Sequence, residues 1–455
     1  MSVKLAGARV TVVGLGLSGL AAARLLVSKG AQVTINDARD EAALGERAKE
    51  AAKLGVQLDL GGHDATRLSQ NDFIVVSPGV PPLEALASAE ARGVRIYSEV
   101  ELASWFVKGT VVGITGTNGK STVTTLVGEM CKATGRPTFV GGNLGTPLVD
   151  VVGSEAAQEN GYLVVELSSF QLERIERFRA HVGVILNVTD DHLDRYAGFA
   201  DYAAAKGRLF ATQLKADHAV APSGDSLCVS LAAVSPGTHH LFAGQDGSVR
   251  VEDGTLRDHV SGLSLPVSEI GIQGAHNLDN ACAAALAARL AGVEPATIAR
   301  VLREFKGLAH RMQHVAQLSG VTYFDDSKAT NVGASVAAIV GLGRQQIKVV
   351  LIAGGKDKGG SYAPLREVME AHGAGVVLIG EASNLIADAF EGVPMPVVRA
   401  GSMGDAVRKA RDLAKPGDAV LLAPACASFD MFRSYAHRGD VFKEEVLTLG
   451  AEAKP

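Results

Sequence analysis

The chain has 455 residues, 47% hydrophobic and 20% charged, with a formal net charge of −5. At ~150 residues per domain that length predicts about three domains, and so mild an acidic balance gives no broad electrostatic reason to bind nucleic acid or an anionic membrane. No stretch supplies the ~18 continuous apolar residues of a membrane span, the N-terminus runs straight into a strand without the marks of a secretory leader, and Cys131, Cys228, Cys282 and Cys426 form no CxxC pair, so they read as buried free thiols of a cytoplasmic protein.

Residues 1–107 alternate strands and helices. Arg9–Val13 reads as a strand and is followed by Gly14-Leu-Gly-Leu-Ser-Gly19 and a helix from Gly19. Ala31–Asp37 is the next strand, and Phe73–Val76 runs into the rigid Ser77-Pro-Gly-Val-Pro-Pro82. A glycine triplet after a strand, with Asp37 ending the next strand, is a dinucleotide fingerprint. At face value it points to NAD, but a nucleotide-sugar pyrophosphate can use the same helix N-terminus.

The second series, over 108–307, carries the most informative stretch, Gly113-Ile-Thr-Gly-Thr-Asn-Gly-Lys-Ser-Thr122, between a short apolar run and a helix. Glycines let backbone N–H groups close on phosphate oxygens. The helix start adds positive potential, Lys120 adds a charge, and a Ser121 or Thr122 hydroxyl suits Mg²⁺. Glu166 ends the strand Gly161–Glu166, where an acid beside a phosphate cradle can hold a metal. Asn187-Val-Thr-Asp-Asp-His-Leu-Asp-Arg-Tyr196 follows another apolar strand, and Lys206 follows on an alanine-rich helix. Taken singly, His192 reads as a hydrogen-bonded residue and Lys206 as a solvated charge. Turn signals at Gln245-Asp-Gly and Glu252-Asp-Gly mark 219–273 as a small antiparallel excursion, and Asn277–Gly292 reads as a helix.

The third series, over 308–455, places polar loops after three strands. They are Asp325-Asp-Ser-Lys-Ala-Thr-Asn331, Gly354-Gly-Lys-Asp-Lys-Gly-Gly360 and Ala423-Pro-Ala-Cys-Ala-Ser428. Open parallel sheets bind ligands at such strand ends, and this mixture of lysine, hydroxyl and acid suits an anionic substrate. The expected fold is therefore α/β in three domains: an N-terminal Rossmann-like parallel sheet (1–107), a central P-loop ATPase-type domain with a small antiparallel β-excursion (108–307), and a C-terminal Rossmann-like domain (308–455).

Together these stretches, with Gly141-Gly-Asn-Leu-Gly-Thr-Pro147 and His276-Asn-Leu-Asp-Asn280, resemble the Mur ligase family of peptidoglycan-precursor synthetases, which add amino acids to a UDP-sugar peptide using ATP. The resemblance runs from Gly14 to about Gly439. Asp326–Asn331 and Pro424–Ser428 are similar to the branch that adds D-glutamate to UDP-N-acetylmuramoyl-L-alanine.

The resemblance implies ATP, two Mg²⁺ ions and a CO₂-derived carbamate on Lys206. It implies that Gly116, Thr117, Asn118, Gly119, Lys120, Ser121 and Thr122 cradle phosphate, that Asn277 and Asn280 face the adenine, and that Arg311 and Asp326 hold the rest of ATP. Ser121 and Glu166 would hold one Mg²⁺, and His192 and carbamoylated Lys206 the other. Leu17, Ser18, Asp37, Ser77, Asn143 and His192 would line the UDP-sugar site. Thr330, Lys358, Ser428 and Tyr435 would take glutamate, with Lys328 near the transferred phosphate. Ala38 stands where many members carry a hydroxyl residue that helps hold the uracil, and Tyr435 where many carry Phe.

The implied catalytic set is Lys120, His192, Lys206 and Lys328, acting on small molecules in a monomer, with hinges near 108 and 308 closing the third domain to exclude water. Three other readings stay open on the sequence: an NAD-dependent oxidoreductase, a folylpolyglutamate synthetase, and a scaffold that only binds nucleotide.

Overall fold

A computed structural model describes residues 5–191, 195–272 and 274–452. His192 lies outside the described residues. Three sheets follow one another along the chain. The first contains β1 (Arg9–Val13), β2 (Gln32–Asp37), β3 (Gln57–Leu60), β4 (Phe73–Val76) and β5 (Arg95–Ser98) in the order β3-β2-β1-β4-β5, all parallel. The order reverses between β1 and β4, and a crevice opens beyond the strand ends at such a switch point. The helix after β1 begins at Leu17, so Gly19 sits inside its first turn. A Cβ there would overlap the Gly14 carbonyl oxygen, so only glycine lets the helix pack this close to the strand.

The second sheet contains β6 (Thr110–Thr115), β7 (Thr138–Gly142), β8 (Tyr162–Glu166), β9 (Val182–Ile185), β10 (His218–Pro222), β11 (Thr238–Phe242), β12 (Val249–Glu252), β13 (Thr255–Asp258) and β14 (Ser264–Pro266). Its order is β14-β13-β12-β11-β10-β9-β6-β8-β7. Only β12 to β14 pair antiparallel. The Asp253-Gly254 turn joins β12 to β13 with φ of 49° and 69°, as a two-residue hairpin requires. The other turn signal, at 245–247, sits between β11 and β12, which pair parallel. A turn dipeptide reports that the chain bends, not the direction in which the next strand runs. The alanine-rich helix spans Ala275–Leu290.

The third sheet contains β15 (Gln313–Leu318), β16 (Val321–Asp325), β17 (Val349–Gly354), β18 (Gly373–Ile379), β19 (Val397–Arg399) and β20 (Ala419–Leu422), in the order β15-β16-β20-β17-β18-β19. Its pairs are parallel except β15 with β16. Because β16, β20 and β17 are neighbours, the three polar loops that follow them lie side by side. The described residues form two compact units. One comprises Met1–Val188, Ala200–Ile270 and Asp279–Glu304, and the other Thr189–Phe199, Gly271–Leu278 and Phe305–Pro455. Among the described residues no helix is long and apolar enough to cross a membrane.

Two buried acids on the short helix Glu99–Ser104 show how the first unit handles charge. Glu101 Oε2 accepts the N–H groups of Glu176, Arg177 and Phe178 at 2.8–2.9 Å, and its Oε1 accepts Trp105 Nε1–H at 2.8 Å. Glu99 is 1% exposed. Its Oε1 accepts the Val149 N–H at 2.7 Å, while its Oε2 has no hydrogen-bond partner among the described residues. Burial pushes the Glu99 carboxyl up to about 7, with the nearby Asp150 charge adding to the effect.

The folded chain therefore holds this proton more tightly than the unfolded chain does, and stability falls as pH rises from about 4.5 to about 7. Glu99→Gln should stabilise the folded chain at pH 8 by on the order of 3 kcal/mol, seen as a higher unfolding midpoint. The gain should shrink towards zero near pH 4.5, as thermal melts across that range will show.

Candidate active site

In the first unit, the loop between β6 and the helix Lys120–Lys132 is held from outside by its neighbours. Asn187, just past β9, accepts the Asn118 N–H through Oδ1 at 2.8 Å and donates from Nδ2 to the Asn118 carbonyl at 3.1 Å. Its own carbonyl accepts the Thr117 N–H at 2.9 Å. The Thr117 hydroxyl lies 3.1 Å from the Tyr202 hydroxyl. Gly119 caps the helix with φ +84°, and a side chain there would collide with Asn280 Oδ1. Gly119 is thus fixed both by its left-handed backbone and by close approach, and Asn280 is brought against the loop.

Two lysines converge on one carbonyl. Lys120 Nζ donates to the Gly116 and Thr117 carbonyls at 2.8 Å each, and Lys206 Nζ donates to the Gly116 carbonyl at 2.8 Å. Lys206 is 1% exposed and lies over the Tyr202 ring, 4.5 Å from its centre. Ser121 and Thr122 are buried in the first helical turn. A helix start with glycine turns and a cation beside it is built for phosphate.

Glu166 ends β8, directly beside β6, with Ile114 as its register partner. Its Oε1 accepts Asn143 Nδ2–H at 2.7 Å, and its main-chain oxygen accepts the Asn143 N–H at 2.9 Å. Its Oε2 is buried and has no hydrogen-bond partner among the described residues. A buried carboxylate oxygen in that state costs energy unless a cation answers it, so this position fits Mg²⁺. No three His, Cys, Asp or Glu side chains gather as a metal cage among the described residues.

At the end of the first sheet, Asp37 accepts the Leu15 N–H at 2.8 Å and the Arg39 N–H at 3.0 Å, and forms a two-pronged pair with the Arg39 guanidinium at 2.8 and 2.9 Å. Arg39 holds the carboxyl well below the usual range. Ser77 Oγ donates to the Gly14 carbonyl at 2.8 Å. Leu17 is 65% exposed at the helix start, with Ser18 half-buried beside it. Ala38 is exposed.

In the second unit, Arg438 organises the loops. It is fully buried, and its guanidinium donates to Ser327 Oγ at 3.0 Å, the Ser327 carbonyl at 2.9 Å and the Cys426 carbonyl at 3.2 Å. The loops after β16 and β20, carrying Lys328 and Ser428, are therefore tied to the helix Tyr435–Glu452. Lys328 Nζ lies 3.8 Å from the centre of the Tyr435 ring, a cation–π contact. Thr330 N–H donates to the Lys328 carbonyl at 2.8 Å.

Burial pushes the Asp326 carboxyl up to about 7, against the pull of the Arg311 charge. Asn277 lies in the first turn of its helix, its N–H donating to the Gly274 carbonyl. Lys358 Nζ is 3.6 Å from Asp191 Oδ1, and Asn331 Nδ2 donates to Asp191 Oδ2 at 3.1 Å.

Sequence reasoning missed Asn187, Arg438 and Asp191. Asn187 could have been found as the first polar residue after an apolar strand that points at the loop. An arginine in a polar helix gives no such signal. Asn187→Ala should weaken binding of a nucleoside triphosphate about tenfold by releasing two loop contacts, measured by titration with a fluorescent analogue.

The comparisons with known proteins agree along the chain. Residues 8–98 match the Mur ligase MurD-like N-terminal domain, 114–288 the Mur ligase middle domain and 310–426 the Mur ligase glutamate ligase domain. A protein of Geotalea daltonii named UDP-N-acetylmuramoylalanine--D-glutamate ligase is 43% identical, over 97% of this chain and 98% of its own. One of the same name from Anaeromyxobacter dehalogenans is 46% identical, over 97% of each. Among solved structures, a pseudomurein peptide ligase type C from Methanothermus fervidus shares the fold with a TM-score of 0.61 at 20% identity, covering 97% of this chain and 100% of that one. The chain belongs to the Mur ligase family.

Proposed function

We propose that this member joins D-glutamate to UDP-N-acetylmuramoyl-L-alanine at the expense of ATP, acting as a cytoplasmic monomer in peptidoglycan precursor synthesis. The relatives that match over nearly the full length carry that activity in their names. Within the structure, the observation that carries the reading is the buried Glu166 oxygen beside a phosphate cradle crowned by two lysines.

Amide formation from a carboxylate needs a better leaving group than oxide. The sugar-peptide carboxylate attacks the γ-phosphate to give an acyl phosphate and ADP; the glutamate amine then attacks the acyl carbon and phosphate leaves. Phosphoryl transfer is chiefly a matter of position and charge neutralisation. Bound Mg²⁺ supplies part of that neutralisation between two anions. Glu166 and Ser121 are the residues to hold one ion. Lys206, converted by CO₂ to a carbamate, and His192 are those to hold a second.

Lys120 would exchange its loop carbonyls for phosphate oxygens, and Gly116, Thr117, Asn118, Gly119, Ser121 and Thr122 would form the cradle around the donor. Asn277, Asn280, Arg311 and Asp326 would hold the remainder of ATP, and Leu17, Ser18, Asp37, Ser77 and Asn143 the UDP-sugar. Thr330, Lys358, Ser428 and Tyr435 would seat glutamate, with Lys328 offering a cation to the reacting phosphate.

Phosphate release with ATP, Mg²⁺ and UDP-N-acetylmuramoyl-L-alanine, run with each glutamate enantiomer, tests the proposal. Turnover is expected with D-glutamate, and none with either enantiomer would sink it. Lys206→Ala should lose activity on the order of 100-fold, because an oxygen ligand is removed. Short carboxylic acids in the assay should restore part of it; full activity in that variant would remove Lys206 from the mechanism.

A further inference from the structure

Beyond the residues expected to touch glutamate, the structure contains a brace behind them. Tyr362 is buried, and its hydroxyl donates to Asp357 Oδ1 at 2.6 Å. The same hydroxyl lies 3.1 Å from Cys426 Sγ. Asp357 Oδ2 in turn accepts the Gly359 N–H at 2.9 Å. The carboxylate thus spans Lys358, gripping the backbone on its far side while Tyr362 holds it from within. Cys426 lies two residues before Ser428 in the neighbouring loop. The main chains of the two loops exchange hydrogen bonds between Lys356 and Ala427 at 2.9 and 3.0 Å. Asp357, Lys358 and Tyr362 also line a cavity of about 280 Å³ together with Asp191, Asn331 and Val332.

We propose that Tyr362 is a positioning residue for the amino-acid substrate: its hydroxyl locks the Lys358 loop against the Ser428 loop, so that the two groups approach the substrate in a fixed relation. The inference rests on the proposed ligase reading for its kinetic test, but not for its structural one. A glycine-rich loop samples many backbone states. A hydrogen bond to a carboxylate inside it removes that freedom before the ligand arrives, and preorganisation of this kind acts on binding.

Tyr362→Phe deletes one oxygen and leaves the ring in the core. The KM for D-glutamate should rise about tenfold, with KM for ATP and for the UDP-sugar peptide within about twofold of the parent. Asp357→Ala should give a similar rise, and combining it with Tyr362→Phe should add little, because the two act as one unit. A general structural defect would instead raise all three KM values together. An unchanged KM for glutamate, or an equal rise for every substrate, overturns the proposal.

Amide hydrogen exchange reads the brace without any turnover. Residues 355–360 should exchange faster in Tyr362→Phe than in the parent, and identical exchange overturns the proposal. A parent protein that releases no phosphate with glutamate while the variant loop still loosens would sink the ligase reading and support the brace.

Discussion

The carbonyl oxygen of Gly116 is the point on which the glycine-rich loop after β6 depends. Both Lys120 and Lys206 donate to it. One comes from the helix that follows the loop, the other from a distant helix, so a single acceptor fixes two cations. On the opposite side Asn187 takes up a donor and an acceptor of Asn118. With its outer hydrogen-bonding groups spent on neighbours, the loop has little freedom to fold in on itself. The cradle is therefore largely made before any ligand is present, which lowers the entropic cost of binding.

Buried charge is handled in three ways. Glu101 and Arg438 are enclosed but answered by converging hydrogen bonds. Such groups act as rivets, because removing either would leave several partners unsatisfied at once. Asp37 is answered by the Arg39 guanidinium and two main-chain N–H groups. Glu99 and Glu166 are the third kind, each with one oxygen satisfied and the other not; burial leaves Glu99 holding its proton, while Glu166 ends the strand beside β6.

Much of this was legible in the chain because the relevant residue types have few other uses. Glycines with Lys120-Ser-Thr after an apolar run, and polar loops at the ends of β16, β17 and β20, can be read without coordinates. The strand order that places those three loops together cannot be read from any one of them. The edge strand β15 also escaped notice, since none of Gln313–Leu318 is fully buried and its apolar residues, Val315, Ala316 and Leu318, do not alternate with its polar ones. Lys206 reads as a solvated cation among alanines, and only its enclosure shows otherwise. Asn187, Asp191 and Arg438 act on partners far away in sequence, and local pattern carries no record of such distances.

The position of Arg438 has a consequence for how the chain comes into being. The loops it holds, at Ser327 and Cys426, are both made before it. During synthesis the third sheet can assemble from β15 to β20 while its binding loops still lack their anchor. Only when the helix Tyr435–Glu452 is made does the guanidinium reach their carbonyls. The last major helix is thus a completion signal written into the fold: a chain ending short of it would hold both loops and still lack the anchor that ties them together.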